Sequence, residues 1–225
     1  MTEYLSEKEQ WEEIRTWVRD NGLWVVAGVV LAAAGLQGWR WWQSHLDERG
    51  VKASAGYTRM IDALEKGDRT QAFVRLGELE RDYPSSPYAD QAKLLAARLY
   101  VESNELDKAA HELEAVMNGT KDHELSLVAR MRLARVEIAQ AKPDAAIATL
   151  NATEPGAFAA RYHEVRGDAW YAKGDRPAAL KEYRSAAGSP ELGDAALLDL
   201  KIADLAADAP TASAAVTPAP AAAAK

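Results

Sequence analysis

The sequence predicts an all-α protein: a single N-terminal transmembrane helix followed by a solenoid of helical hairpins. Three observations carry that expectation. Residues 21–39 form an uncharged run of 19 residues, NGLWVVAGVVLAAAGLQGW. Downstream, turn signals recur at intervals of 37, 37 and 33 residues, each followed at a fixed offset by alanine. Alanine, leucine, glutamate and arginine dominate, while phenylalanine and isoleucine are scarce, a bias toward helix.

Composition bounds the functions available. The 225 residues suit one ordinary globular domain with an appended segment. A net charge of −7 supplies no basic field for nucleic acid. The chain has no cysteine, which removes disulfides, thiolate catalysis and cysteine metal sites together. Stability must come from packing.

The uncharged run is bracketed by Asp20 and Arg40. As a helix it spans about 28 Å, close to the ~30 Å hydrocarbon core of a bilayer. Trp24 near one end and Trp39, Trp41 and Trp42 at the other resemble the aromatic belts of the two membrane interfaces. A cleaved signal peptide is the rival, with Ala32-Ala33-Ala34-Gly35 as processing site. The first 20 residues argue against it, since they carry six acids against three bases and signal n-regions are short and positive. Lys8, Arg15 and Arg19 before the run balance Arg40, Arg49 and Lys52 after it, so charge alone leaves orientation open. Gly28 and Ala32 could let another helix approach, or could reflect the ordinary composition of membrane helices. In the preceding tail, Ser6 and Glu9 form a possible capping box, with Trp11, Ile14 and Val18 on one helical face. That tail either lies along the membrane surface or continues the membrane helix.

Beyond the run, turns are expected at Lys66-Gly67-Asp68, Ser103-Asn104, Ala141-Lys142-Pro143 and Lys173-Gly174-Asp175. Five residues after Gly67, Asn104, Ala141 and Gly174 stand Ala72, Ala109, Ala146 and Ala179. Four further on come Leu76, Leu113, Leu150 and Tyr183. Seven residues before the last three turns stand Ala97, Ala134 and Gly167. Two antiparallel helices then cross so closely that only alanine or glycine fits, and the bulky residue fills the space toward the next pair. The stretches LLAARLYVESNELDKAAHEL and VRGDAWYAKGDRPAALKEY resemble tetratricopeptide repeats, with Pro84 and Pro190 closing the first and last units. The third unit is degenerate, with Ala141-Lys142 in place of a glycine turn and Glu137 where an aromatic is expected. An unrelated antiparallel helical bundle is the alternative. From Ala206 the sequence is alanine- and proline-rich, and cannot bury a core.

Motifs for chemistry are missing. His45, His111, His123 and His163 have no metal-ligand spacing, and no HExxH, GxSxG, phosphate-binding loop or GxGxxG pattern occurs. No catalytic residue, cofactor or small-molecule substrate is expected. Asp107-Lys108, Asp122-His123-Glu124 and Arg166-Gly167-Asp168 read as solvated helix surfaces and turns. What remains is a binding surface on the first helices of the hairpins. Among their polar residues Lys93, Arg130 and His163 are the candidate partner-groove residues; Tyr100 and Trp170 are read as core.

The layout as a whole joins a short acidic tail opening Trp11-Glu12-Glu13-Ile14-Arg15 and Trp17, one anchor, a tryptophan-rich exit and tetratricopeptide-like repeats. It resembles the ancillary SecYEG translocon subunit family over residues from about 5 to 205. The resemblance implies a non-catalytic protein of the bacterial inner membrane, with residues 1–20 in the cytoplasm, residues 21–42 as anchor and residues 43–205 as a periplasmic repeat domain. It implies as partners the SecYEG channel subunits, the membrane-anchored chaperone PpiD and exported client proteins, besides the lipid bilayer. The tail at 206–225 departs from the family's compact ending and is expected to be disordered. A scaffold for another envelope complex would share this architecture.

Overall fold

The computed structural model describes residues 7–188 and 196–207, which divide between two units, residues 1–56 and 57–225. The capping residue Ser6, Pro190 and the tail beyond Ala207 lie outside the described residues. Every regular element among those described is helical: α1 (Glu7–Glu65), α2 (Arg69–Asp82), α3 (Pro87–Glu102), α4 (Leu106–Gly119), α5 (His123–Ala139), α6 (Pro143–Asn151), α7 (Ala159–Ala172), α8 (Arg176–Ala187) and α9 (Ala196–Ala207), with a 3-10 turn at Gly156–Phe158.

In the first unit α1 is helical from Glu7 onward, so the described part of the tail continues into the apolar run without a break. Among the described residues α1 carries the apolar stretch long enough to cross a membrane, and none of that stretch is buried by the protein. Leu23, Trp24, Val29, Val30, Leu31 and Leu36 all lie exposed. So continuous an apolar surface needs a covering phase, and a bilayer matches its length.

In the second unit the sequence period becomes geometry. Gly67, Asn104, Ala141 and Gly174 take positive φ values of 74°, 58°, 59° and 87°. At each, the left-handed residue ends one helix by the same pair of bonds. The Gly67 N–H donates to the Leu64 carbonyl at 2.9 Å and the Asp68 N–H to Ala63 at 2.8 Å. Asn104 and Glu105 repeat this on Val101 and Tyr100, Ala141 and Lys142 on Ile138 and Glu137, Gly174 and Asp175 on Tyr171 and Trp170. These are Schellman caps, which satisfy carbonyls the helix end leaves orphaned. Where the turn reads Gly-Asp, the aspartate also caps the next helix: Asp68 accepts from the Gln71 N–H and Asp175 from the Ala178 N–H, both at 2.9 Å. Glu105 and Lys142 supply no such bond. The degenerate third turn thus keeps the backbone shape while lacking both the glycine and the cap.

Ala141 is exposed and holds a conformation that disfavours a side chain by about 1–2 kcal/mol, while glycine loses roughly 0.5–1 kcal/mol more entropy on folding. Ala141→Gly is therefore expected to stabilise the domain by about 0.5–1 kcal/mol. A thermal melt beside Asn104→Gly checks it, and the asparagine should gain less because its side chain tolerates this region.

The crossing residues behave as the period requires. Ala72, Ala109, Ala146 and Ala179 are fully buried, and Leu76, Leu113, Leu150 and Tyr183 are buried beside them. Ala97 shares a core cluster with Ala109 and Leu113, and Ala134 shares one with Ala146 and Leu150. A β-carbon added at Gly167 would lie 2.4 Å from the Tyr183 ring. Arg166-Gly167-Asp168 lies on a helix as expected, in the middle of α7, but Gly167 is buried against α8 and Arg166 and Asp168 are half-buried rather than fully solvated. Two charged residues flanking a glycine do not by themselves say which helical face the glycine occupies.

Successive hairpins are stitched along their turns. Arg69 donates to the Ser103 hydroxyl and, at 2.9 Å, to the Leu99 carbonyl. The Gln140 amide donates to Asp107 at 2.9 Å and Lys173 to Asp144 at 2.6 Å. Each bond joins the start of one second helix to the end of the next first helix, the nearest-neighbour coupling typical of solenoids. The stack closes on α9, which buries Leu198 and Leu205 with Ala160, Ala179, Tyr183 and Ala186.

Candidate partner-binding surface

Lys93, Arg130 and His163 occupy equivalent positions on the first helices α3, α5 and α7, and each meets a partner inside the protein. Lys93 Nζ lies 3.9 Å from Glu80 on α2. Arg130 donates to the Thr149 carbonyl of α6 at 3.1 Å, while its Nε is buried without a partner among the described residues. His163 Nδ1 lies 2.7 Å from Glu182 on α8, a carboxylate shared with Arg166 at 3.8 Å. An incoming ligand reaches these groups only by exchanging those contacts. Tyr100 stacks on Phe73 with ring centroids 4.8 Å apart, and Trp170 packs on the C-terminal core cluster under Lys173. Glu137, at the equivalent position between them, accepts from the Thr149 hydroxyl at 3.1 Å; its Oε2 is buried without a partner among the described residues. Burial pushes its carboxyl above the ordinary range, against the opposing Thr149 bond.

The open part of this surface lies elsewhere. α5 packs along α7, whereas α3 and α5 share a core cluster but approach less closely, and a trough of about 460 Å³ opens between them. Leu106 and Leu113 of α4 line it, with Leu94, Ala97 and Val101 of α3 and Val136 and Ala139 of α5. Arg98, Glu102, Arg132 and Arg135 complete it, all exposed. Arg98 pairs with Glu102 at 2.8 Å. None of Lys93, Arg130 and His163 lines this trough. The sequence did carry a signal for it: Arg98 and Arg135 each follow a crossing alanine, Ala97 and Ala134, in successive repeats. In the last repeat that position holds Asp168, which instead accepts from the Tyr183 hydroxyl at 2.7 Å.

The four expected interface tryptophans, Trp24, Trp39, Trp41 and Trp42, are all exposed, and Trp41 stacks on His45 at 6.0 Å. From Trp24 to Trp42 an α-helix rises about 27 Å, so the rings bracket roughly one hydrocarbon thickness.

An apolar helix left uncovered by the described residues, joined in sequence to stacked hairpins that offer a trough, defines a helical-repeat protein with one candidate membrane span. The family model for a tetratricopeptide repeat-like domain matches residues 15–207. The chain is 31% identical over 207 residues to the ancillary SecYEG translocon subunit of Escherichia coli K12, covering 90% of this chain and 98% of that one. It is 25% identical over 201 residues to the same-named protein of Haemophilus influenzae, and 29% identical over 187 residues to that of Neisseria gonorrhoeae. Those alignments cover 89% and 83% of this chain and 98% and 90% of the relatives. The chain belongs to the ancillary SecYEG translocon subunit family.

Proposed function

We propose that the chain is a non-catalytic, single-pass subunit of the bacterial inner membrane that attaches to the SecYEG channel and supports periplasmic chaperone handling of exported proteins. The observation that carries this is the alignment, which covers 90% of this chain and 98% of the Escherichia coli relative, beside a family match over residues 15–207. Residues 1–20 lie in the cytoplasm, residues 21–42 span the bilayer with Trp24 at one interface and Trp39, Trp41 and Trp42 at the other, and the repeats from residue 43 face the periplasm. PpiD and exported chains are the partners we assign, with Lys93, Arg130 and His163 contributing on the first helices by exchanging their internal contacts. Tethering makes modest affinity sufficient, because a client leaving the channel meets the repeats at high effective concentration.

Affinity purification from detergent-solubilised membranes compares the full chain with a form lacking residues 1–42. Channel subunits should accompany the first and be depleted with the second. Recovery of a cell-wall or outer-membrane assembly complex instead, with no channel subunit, transfers the chain to the scaffold reading. Orientation is read separately: cysteines placed at Ser6 and Ser189 of this cysteine-free chain should be spared and labelled, respectively, by a thiol reagent confined to the periplasm. The reverse pattern rejects the topology.

A further inference from the structure

We infer that the trough between α3 and α5 receives an acidic amphipathic segment of a partner protein, whose apolar side chains seat on α4 while its carboxylates meet Arg98, Arg132 and Arg135. The inference rests on reading the domain as a partner-binding module, and names the chemistry of the partner at one site.

The trough combines two properties. Its walls are apolar, and Val101 of α3 is 44% exposed, though the first helices otherwise bury most of their large apolar residues. Its volume of about 460 Å³ falls among ligand-binding clefts, which run from roughly 300 to 1,000 Å³. The charge around it is inverted relative to the protein. The chain carries −7, yet three arginines and one glutamate stand at the trough. Arg98 is already paired with Glu102. Arg132 and Arg135 have no ion pair within 4 Å among the described residues, although Arg135 lends Glu164 some electrostatic support. Arginine's planar fork suits carboxylates bidentately, and the apolar neighbours lower the local dielectric, which strengthens each contact.

Charge decides the occupant. A basic or purely apolar segment would desolvate these guanidinium groups without pairing them, a penalty of the kind that sets interface specificity. A second copy in a two-fold arrangement would bring the same arginines face to face. An acidic segment with spaced apolar anchors satisfies both halves of the trough.

The test uses the full chain in detergent micelles and a short fluorescein-labelled peptide of leucines at helical spacing separated by glutamates, read by anisotropy. A second peptide replaces every glutamate by lysine. The glutamate peptide should bind, should weaken as salt rises, and should lose roughly tenfold in affinity to the Arg132→Glu/Arg135→Glu double variant. Both arginines are exposed, so that variant should fold. Because Arg135→Glu also removes some support from Glu164, a parallel thermal melt checks the fold, and Arg132→Glu alone should weaken the peptide in the same direction. Val101→Lys, which places a charged chain in the trough, should weaken the same peptide comparably. Equal binding of the lysine peptide overturns the inference, as does unchanged binding by the double variant or no binding by the native chain. Self-association that the double variant abolishes would give the trough to a second copy and overturn it as well. Channel copurification, scored in parallel on the native chain, separates the two readings. If the channel is recovered without peptide binding, only the trough assignment falls; if the channel is not recovered, the functional reading falls whatever the peptide does.

Discussion

Gly167→Ala should destabilise the repeat domain by about 2 kcal/mol, a large effect for the addition of one methyl group. The new β-carbon would lie 2.4 Å from Cε1 and 2.5 Å from Cδ1 of Tyr183. The ring cannot step aside cheaply, because it is buried and its hydroxyl donates to Asp168 at 2.7 Å. Overpacking of this kind costs about 1–3 kcal/mol and occasionally more, and alanine's better helix propensity returns only about 1 kcal/mol. The other hairpins show how the clash would be relieved. Ala97 pairs with Leu113 and Ala134 with Leu150, whereas the glycine pairs with the larger tyrosine. Tyr183→Leu alone should cost about 3 kcal/mol through an unfilled space and a lost hydrogen bond. Combined with Gly167→Ala it recreates the alanine–leucine pair of the earlier repeats. The double variant should then be more stable than the sum of the two changes by about 2 kcal/mol, within the range for residues in contact. Thermal melts of the full chain in detergent decide it, with 1 kcal/mol shifting the midpoint by roughly 2–4 °C at this size. Additive behaviour would refute size-matching across the hairpin.

Lys201→Met should cost about 1–2 kcal/mol and change how the protein responds to acid. Lys201 lies on α9, with its amine 2.7 Å from Asp168 and 3.3 Å from Glu164 of α7 and over the Tyr183 ring. Glu164 is nearly buried, at 10% side-chain exposure. Methionine keeps the stem contacts but leaves Glu164 paired with Arg161 alone and Asp168 without a cation. Breaking a pair this partly buried costs about 1–2 kcal/mol, between the exposed and the fully buried cases. Burial pushes the Glu164 carboxyl up, but the Arg161 hydrogen bond at 3.1 Å and the Lys201 charge outweigh it, so its pKa sits below the ordinary value of 4.5. A depressed carboxylate pKa contributes stability that is present above 4.5 and lost as pH falls through the folded-state value. Without Lys201 burial weighs more heavily, the depression shrinks, and protonation relieves the variant. The gap between parent and variant should therefore narrow as pH drops from 7 to below 4.5, followed by denaturant unfolding at each pH. A constant gap would show that the lysine acts through its stem alone. Either change leaves the trough between α3 and α5 untouched, so peptide binding serves as the control for local structure.

The repeat architecture was legible because it depends on backbone events that few residues permit. Left-handed turn residues at Gly67, Asn104, Ala141 and Gly174, and fully buried alanines five positions on, are local requirements imposed by close helix crossing. Even the degenerate third turn kept its register, since the bonds from Ala141 and Lys142 are made by backbone N–H groups that every residue but proline supplies. The apolar run of α1 was legible for a similar reason: a span is a property of consecutive residues, and length and charge suffice to define it.

Surface chemistry was less legible. Lys93, Arg130 and His163 were recognisable as polar residues on first helices, but tertiary packing brought Glu80, Thr149 and Glu182 within reach of them. The trough required knowing that α3 and α5 approach less closely than α5 and α7 do. Arg166-Gly167-Asp168 shows the same limit from the other side, for its burial arises from Tyr183 and from Lys201, 33 residues beyond Asp168. Spacing along one chain reports which residues share a helical face, and it reports turns and spans directly. Which polar groups find internal partners, and which remain open to a ligand, depends on gaps and distances between helices that only the packed structure decides.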